Sequence, residues 1–433
     1  MFILAIETQR NRFFARGGRN EKRRATMRDA EVCVVGAGPH ALTVVSHLLT
    51  ARPSLRDGIV VVDPSGQWLR TWREQFGRLE IGVLRSPMVH HPDVWPGSLA
   101  RFTSDHALKR SHLPYDPPLT SVFDSFCSAL VDQLDLDSML CAASVGEIQT
   151  ERHGCRVTTS SGSFQARQVV WAGNTAHPIV PEPFSKPFGT ASIQHSSTID
   201  LRNIPTLDGE HIVVVGGGLT AGHLVLGALK RSARVTLVTR RPIVERNFDV
   251  EPGWLGPRFL EGFECQRNPE RRLQMVLSAR GGGSMPGWMC QRLESEIDAG
   301  RLAHVVGSIE SGDFSDTGPL ELCVSGQPLE ADRCWLATGT RPHFCADAAL
   351  AAHVNRQVDG IPVLRQDLRL GRRSMYLTGR LAAIELGPAA GNLWGARVAA
   401  LRITHALTGF DLRDDALEEP RSRIRLGQKG RHK

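Results

Sequence analysis

No C-x-x-C or C-x-x-x-x-C pair occurs among the nine cysteines of this 433-residue sequence, and their number is odd. A Cys-ligated zinc site and a secreted disulfide framework are therefore not expected, and a reduced, cytoplasmic setting is. No other metal site is expected. Lysine is scarce, at six of the 52 basic residues, an arginine bias that reads as genomic composition rather than selection for phosphate contacts. The body of the chain also lacks charge of one sign. Residues 1–28 and 421–433 together hold fourteen basic and two acidic side chains; without them 38 basic and 43 acidic residues remain, so the net +7 becomes −5 over residues 29–420. No nucleic-acid partner is expected. Nor is there a run suited to a membrane. The best candidate, residues 212–229, is uncharged but contains five glycines and His223, and reads as strand, turn and helix. The N-terminal segment places its apolar residues before its basic ones, the reverse of a secretory signal.

What is present is a globular composition, 41% hydrophobic with 42 glycines and 25 prolines. Residues 1–28 are set aside as a basic extension, with Met27 a candidate start, and residues 411–433 are expected to be a solvated, charged tail. Between them, apolar runs of strand length alternate with helical stretches, which predicts an α/β fold with parallel sheets. Two segments share one design. EVCVVGAGPHALTVVSHLLT followed by GIVVVDP, and HIVVVGGGLTAGHLVLGALK followed by ARVTLVTRRP, each read as strand, glycine turn, apolar helix and second strand. The fold class is thus two Rossmann-like dinucleotide-binding domains, one inserted in the other. The predicted boundaries are 29–205 for the first part of the outer domain, 206–330 for the inserted domain and 331–410 for the second part of the outer domain.

In the first motif Gly36, Gly38 and Ala41 occupy the G-x-G-x-x-G/A positions, with Pro39 opening the helix. The helix N-terminus then points its amides at a pyrophosphate, and Asp63 ends the second strand where a carboxylate can accept from ribose hydroxyls. In the second motif Gly216, Gly218 and Ala221 repeat the pattern with Thr220 between them, and the second strand ends in Arg240 and Arg241. Guanidinium groups there suit the 2′-phosphate of NADPH, although the two arginines also fit a solvated surface pair. Two such folds in one chain imply hydride transfer from a nicotinamide to a second redox ring, with FAD expected in the first and NADPH in the second. Strands at 169–178 and 334–342 are read as the crossings between domains. Gly339 and Gly379 are expected near the cofactors, and a helix starting between Gly387 and Asn392 should aim its N-terminus at the flavin.

Without adjacent thiols to receive flavin electrons, oxygen becomes the expected acceptor rather than a disulfide. The motifs resemble those of flavin-dependent N-hydroxylating monooxygenases, the lysine and ornithine N-hydroxylases, within the larger class of FAD/NADPH monooxygenases. Gly36, Gly38, Pro39 and Leu42 match G-x-G-P-x-x-L, and Asp332, Leu336, Ala337, Thr338 and Gly339 match D-x-x-x-L-A-T-G-Y, with Thr340 in place of Tyr. The G-x-G-Q-S-A motif appears as Gly216, Gly218, Leu219, Thr220 and Ala221, and the F-x-G-x-x-x-H fingerprint only as Phe188, Gly189 and His195 with shifted spacing. The resemblance spans about residues 30–405. It implies oxygenation of a nucleophilic nitrogen or sulfur of a small amine or amino-acid-like substrate by molecular oxygen, through a C4a-hydroperoxyflavin, with no protein acid–base dyad. A reductase passing electrons to another acceptor is the alternative. The family's lysine loop corresponds to IGVLRSPMVHHPDVWP, which makes Arg85 the candidate for a substrate carboxylate and His90 and His91 candidates for substrate contact. Trp68 and Trp72 suit either flavin stacking or core packing. Homo-oligomerisation is left open.

Overall fold

The computed structural model describes residues 29–185, 188–313, 319–353, 356–412 and 424–425. The expected basic extension 1–28, its candidate start Met27 and most of the expected tail lie outside them. The tail's Ile424 is described, and it is buried in the first hydrophobic core, so this part of the segment is not solvated as its charge suggests.

Two parallel sheets carry the molecule. The first is built on Ala30–Val35, with Ile59–Asp63 and then Leu140–Ala142 on one side and Gly162–Trp171 on the other. The far edge of Gly162–Trp171 is shared. Its first half pairs antiparallel with Gly154–Thr159, while Val169–Trp171 pairs parallel with Met375–Leu377 from the end of the chain. The β-branched runs that form these strands are buried on both faces, as in a covered parallel sheet. One cover is the Pro39–Ala51 helix, which packs against the Leu393–Thr408 helix and buries residues 41–49 without a break.

The second sheet has the order Leu302–Val306, Arg234–Thr239, His211–Val215, Arg333–Leu336, Ile193–His195, all parallel. The 212–229 stretch resolves into strand, turn and helix, with Leu219–Leu229 helical. Two strands placed by sequence in the FAD domain belong to this sheet instead. Ile193–His195 and Arg333–Leu336 extend it, so the domain crossings fall outside the predicted 205 and 330. They lie at Ala176–Pro178 and Thr340–Pro342, which pair antiparallel with each other. The physical reason is edge closure: these two strands complete the His211–Val215 side, which otherwise ends in unpaired backbone.

The D-x-x-x-L-A-T-G segment secures that crossing. Asp332 accepts a 2.6 Å hydrogen bond from the His211 N–H, and the Gly339 carbonyl accepts from the Ile179 N–H at 2.9 Å and from His195 Nε2 at 3.0 Å. A second tie between domains is ionic. Glu385 is held by Arg272 at 2.7 Å and Arg402 at 3.2 Å, and both Glu385 and Arg272 are largely buried.

Each glycine turn is pressed against the loop that follows a neighbouring strand. A Cβ at Gly36 (φ +98°) would lie 3.1 Å from the Gly173 nitrogen, and one at Gly216 (φ +148°) would lie 2.4 Å from the Ala337 carbonyl oxygen. Backbone cannot yield as a side-chain tip can. Gly216→Ala is expected to cost about 3 kcal/mol from overpacking and backbone strain, read as a lowered midpoint in urea unfolding of the purified protein.

Candidate functional site

In the first half, Gly38 caps the Pro39–Ala51 helix with no side-chain hydrogen bond, and a Cβ there would meet nothing within 4 Å. Amides and open space therefore coincide at the helix N-terminus, the requirement for an approaching pyrophosphate. Asp63 lies beside this turn. Its Oδ2 accepts from the Ala37 N–H at 3.0 Å and its Oδ1 from the Ser65 N–H at 2.9 Å, which fixes the carboxylate at the strand end. Around the same turn three buried nitrogens have no protein partner: His40 Nδ1, Trp68 Nε1 and Trp171 Nε1. Orphaned buried polar atoms are uncommon in a finished core, and their gathering here fits a bound group with hydrogen-bonding edges.

His40 was not singled out by sequence. It follows Pro39, sits within 4.0 Å of where a Gly379 Cβ would be, and burial lowers its pKa to about 4 despite the Gly391 carbonyl, so its imidazole is neutral. A histidine in the first turn of an otherwise apolar helix is the signal that could have found it. Gly379 (φ +70°) and Gly387 (φ +84°) come after the Met375–Leu377 strand and bracket the short helical turns that follow it. Asn392, expected near a helix start, is the N-cap of Leu393–Thr408 and accepts from the Gly395 N–H at 3.0 Å.

The two tryptophans separate. Trp72, a cofactor candidate that the sequence left between flavin stacking and core packing, lies beside Phe76 and Phe123, with ring centroids 4.4 and 5.3 Å away, and packs against the core. Trp68 is the one beside the glycine turn, where the Leu69 N–H donates to the Ala37 carbonyl.

In the second half, Gly218 likewise caps the Leu219–Leu229 helix without a side-chain bond, and Thr220 lies in its first turn. A three-glycine loop approaches this turn: a Cβ at Gly283 (φ +104°) would be 3.2 Å from the Gly218 Cα. Arg241 donates through Nη2 to the carbonyls of Gly281 and Gly283, so it holds that loop. Arg240 is exposed and makes no hydrogen bond or ion pair with a described residue. Gly339 (φ +83°) has open space over its Cα at the domain crossing.

Between the halves lies a cavity of about 240 Å³, walled by the Leu84–Pro87 and Leu113–Pro117 segments on one side and by Glu245, Asn247, Phe248 and the Pro286–Trp288 segment on the other. Arg85 reaches it but is engaged elsewhere. Its guanidinium donates to the carbonyls of Arg246 (2.6 Å), Asn247 (3.1 Å), Phe248 (2.8 Å) and Ser284 (3.1 Å), and to Ser284 Oγ (2.9 Å). Burial brings its pKa down to about 10, and it remains a cation. Arg85, read as a substrate carboxylate contact, is thus a clamp between the loop and the second domain, because backbone carbonyls take its donors.

His91 is also a packing residue. Its Nε2 bonds the Pro96 carbonyl at 3.0 Å and its ring lies 5.2 Å from Phe126, edge to face. His90 is half-buried, near Asp249 and Arg397, with its pKa lowered to about 4 by burial and then by His91. Asp249 joins the halves directly: its Oδ2 accepts from Arg280 at 3.2 Å and its Oδ1 from Asn392 Nδ2 at 3.4 Å. Sequence reasoning missed Asp249 and Arg280, since only the docking of the domains brings them to Asn392.

Residues 121–280 match a family profile described as pyridine nucleotide-disulphide oxidoreductase. No curated protein matches the sequence. Among solved structures, the ornithine N-hydroxylase of Kutzneria sp. 744 superposes with a TM-score of 0.70 at 15% identity, covering 88% of this chain and 99% of that one. The ornithine hydroxylase of Pseudomonas aeruginosa gives 0.69 at 16% identity over 88% and 99%. The L-lysine 6-monooxygenase of Pseudomonas syringae gives 0.66 at 19% over 87% and 99%. No described helix is long and apolar enough to cross a membrane.

Two outcomes test the site. Gly38→Val should leave the fold intact, since the space is open, yet yield protein without the flavin absorbance near 450 nm; full yellow occupancy would remove the pyrophosphate assignment. The neutral imidazoles of buried His91 and half-buried His40 and His90, all lowered to about 4 from an ordinary 6.5, stabilise the fold above about pH 6.5, and that stability drains as pH falls toward 4. His91→Phe should flatten this acid limb in thermal melts taken from pH 7 to 4. With its paired glycine turns and the cavity between its two domains, the chain has the fold of the flavin-dependent N-hydroxylating monooxygenases, in agreement with the resemblance of its motifs.

Proposed function

We propose that this protein is an FAD- and NADPH-dependent monooxygenase acting on a nucleophilic nitrogen or sulfur of a small molecule. The observation that carries the reading is the pairing of two glycine turns, one in each sheet, the first open at Gly38 and the second met at Gly218 by the Gly283 backbone, with a cavity between the domains and orphaned nitrogens around the first turn. For an amine the balance is RNH2 + O2 + NADPH + H+ → RNHOH + NADP+ + H2O. Bound FAD would supply the ring chemistry that takes the hydride and delivers electrons to oxygen.

The chain's own residues bind and enclose. The Gly38 turn and the helix behind it would hold the FAD pyrophosphate, and Asp63, with lone pairs left beyond Ala37 and Ser65, the ribose hydroxyls. Gly216, Gly218 and Thr220 would hold the NADPH pyrophosphate. Arg240 is the guanidinium best placed for the 2′-phosphate, because Arg241 is occupied by the three-glycine loop. Asn392 and the Leu393–Thr408 N-terminus, tied to Asp249, would present a positive dipole end to the flavin. Arg85 and the 84–117 segments exclude water by closing the loop onto the second domain. The likeness to a structure described with reduced FAD, NADP+ and L-ornithine supports the cofactor pair.

Anaerobic NADPH should bleach the flavin of the loaded enzyme, and with oxygen present at least one member of an amine and sulfide panel should raise NADPH consumption and appear as hydroxylamine or sulfoxide. Peroxide release in full yield with every compound would favour a reductase. NADPH should outperform NADH, and Arg240→Ala should narrow that preference about tenfold or more, as the loss of one charge-assisted contact predicts. An unchanged ratio in rapid-mixing reduction would return Arg240 to the surface.

A further inference from the structure

The two glycine turns are built alike and differ in what stands over them. A Cβ at Gly38 would meet nothing within 4 Å, whereas one at Gly218 would lie 3.7 Å from the Gly283 Cα. The second glycine of a G-x-G turn is the position that lets a pyrophosphate come up to the backbone. In the second domain that space is taken by the 281–283 loop. The approach is close from the other side too, since a Cβ at Gly283 would be 3.2 Å from both the Cα and the nitrogen of Gly218. A phosphate oxygen accepting from the turn's amides at about 2.9 Å cannot share that volume. The loop has to leave before a dinucleotide can seat.

Its flanks are firmly held and its glycines are not. The loop joins the Pro269–Arg280 helix to the Gly287–Asp298 helix, with φ of +60°, +77° and +104° at residues 281, 282 and 283, a left-handed run that glycine adopts without strain. On one flank the Ala279 carbonyl accepts from Arg246 at 2.9 Å and the Arg280 guanidinium reaches the Pro388 carbonyl at 2.9 Å. On the other, Ser284 accepts from Arg85 through its carbonyl at 3.1 Å and its hydroxyl at 2.9 Å. Between them the glycines have one side-chain hold among the described residues. Arg241 Nη2 donates to the carbonyls of Gly281 and Gly283, the latter at 3.2 Å. Arg241 is exposed and follows Arg240 at the end of the Arg234–Thr239 strand. A guanidinium bound to neutral carbonyls in water is held weakly, and a phosphate offers it bonds roughly twice as strong.

We propose that the 281–283 loop is a gate on the second glycine turn, latched by Arg241, and that the 2′-phosphate of NADPH opens it by drawing Arg241 away from the two carbonyls. The proposal rests on the NADPH reading of the second domain given above. Arg241 can pair with the phosphate only when the loop is off, so NADPH binds the open form with an interaction that the closed form lacks, and shifts the loop accordingly. NADH carries a hydroxyl at that position. It must wait for the loop to open unaided, and its apparent affinity falls by the open fraction. Selection for NADPH then has two sources: Arg240 by direct contact, and Arg241 through the loop.

Two plainer roles for Arg241 compete with this one, a simple ligand of the 2′-phosphate and a simple staple of the loop. Binding of the oxidised nucleotides NADP+ and NAD+ to the FAD-loaded enzyme, followed by calorimetry and by stopped-flow association, separates the three. In Arg241→Ala, NAD+ should bind about fivefold or more tighter than in the parent and associate faster, and the preference for NADP+ should narrow. Gly283→Ala keeps both arginines while its methyl group, strained at this φ and pressed against Gly218, drives the loop off the turn. Both nucleotides should associate faster there, with NADP+ still preferred. NAD+ binding unchanged in Arg241→Ala, with NADP+ alone weakened, would make Arg241 a phosphate ligand and overturn the gate. Both nucleotides weakened in Arg241→Ala would make the closed loop part of the binding site and overturn it as well. Because Arg241 is exposed, that variant decides the matter even where Gly283→Ala fails to fold. If neither nucleotide binds any form, the gate falls together with the dinucleotide role of the second turn. If NAD+ gains as described while no amine or sulfide raises NADPH consumption, the gate stands and the monooxygenase reading alone is lost.

Discussion

The constraint on which this molecule turns is the distance between a glycine and the backbone facing it. At Gly36 the facing atoms belong to Ala172 and Gly173, and at Gly216 to Ala337, in both cases the loop just beyond a parallel strand. A side chain at either position would push the helix off its sheet. Because the turns lie that deep, the helix N-termini emerge at the carboxyl ends of the strands with their amides directed outward, and nucleotide phosphates can approach them. Gly36 and Gly38 differ accordingly: the first is hemmed in by backbone, the second faces open space.

What joins the halves is less regular and more polar. Arg85 gathers carbonyls from the 246–248 segment and Ser284, Asp249 meets Asn392 and Arg280, and Glu385 is held between Arg272 and Arg402. These contacts cross from the flanks of the first domain to the second, around the cavity. Buried ionic ties contribute little net stability beyond what an apolar contact would, but they are exacting in geometry. They suit a boundary that holds the two glycine turns in a fixed relation. The pair of crossing strands at 176–178 and 340–342, pinned through Gly339 and His195, gives that boundary its hinge of backbone hydrogen bonds.

The histidines illustrate how burial selects a protonation state. His40, His47, His90 and His91 all sit where a positive charge would be costly, beside apolar side chains and, for His47, His90 and His91, near Arg397. Each is held neutral by position rather than by a partner carboxylate. For His40, beside the first glycine turn, this leaves an unprotonated, unpartnered nitrogen facing the region where the sequence expects the flavin.

Local chemistry sufficed to read the paired strand, turn and helix units, the placement of Gly36, Gly38, Gly216 and Gly218 in the turns, the acid ending its strand at Asp63 and the helix cap near Asn392, because each depends on residues adjacent in sequence or on one short strand. The crossings read at 169–178 and 334–342 agree with the paired strands at 176–178 and 340–342, whereas the bounds drawn at 205 and 330 do not, since the strands at 193–195 and 333–336 have no local mark of which sheet they complete. Nor did the cavity. Arg85 looked available because nothing nearby in sequence uses it; its partners lie more than 150 residues away and meet it only when the domains dock. Trp72 and His91 were drawn into packing by Phe123 and Phe126 from a distant helix. Glu245, Tyr115 and Trp288 carry no motif at all, and only the tertiary structure sets them around one recess, because side chains from three separate segments converge there through contacts that no local pattern encodes.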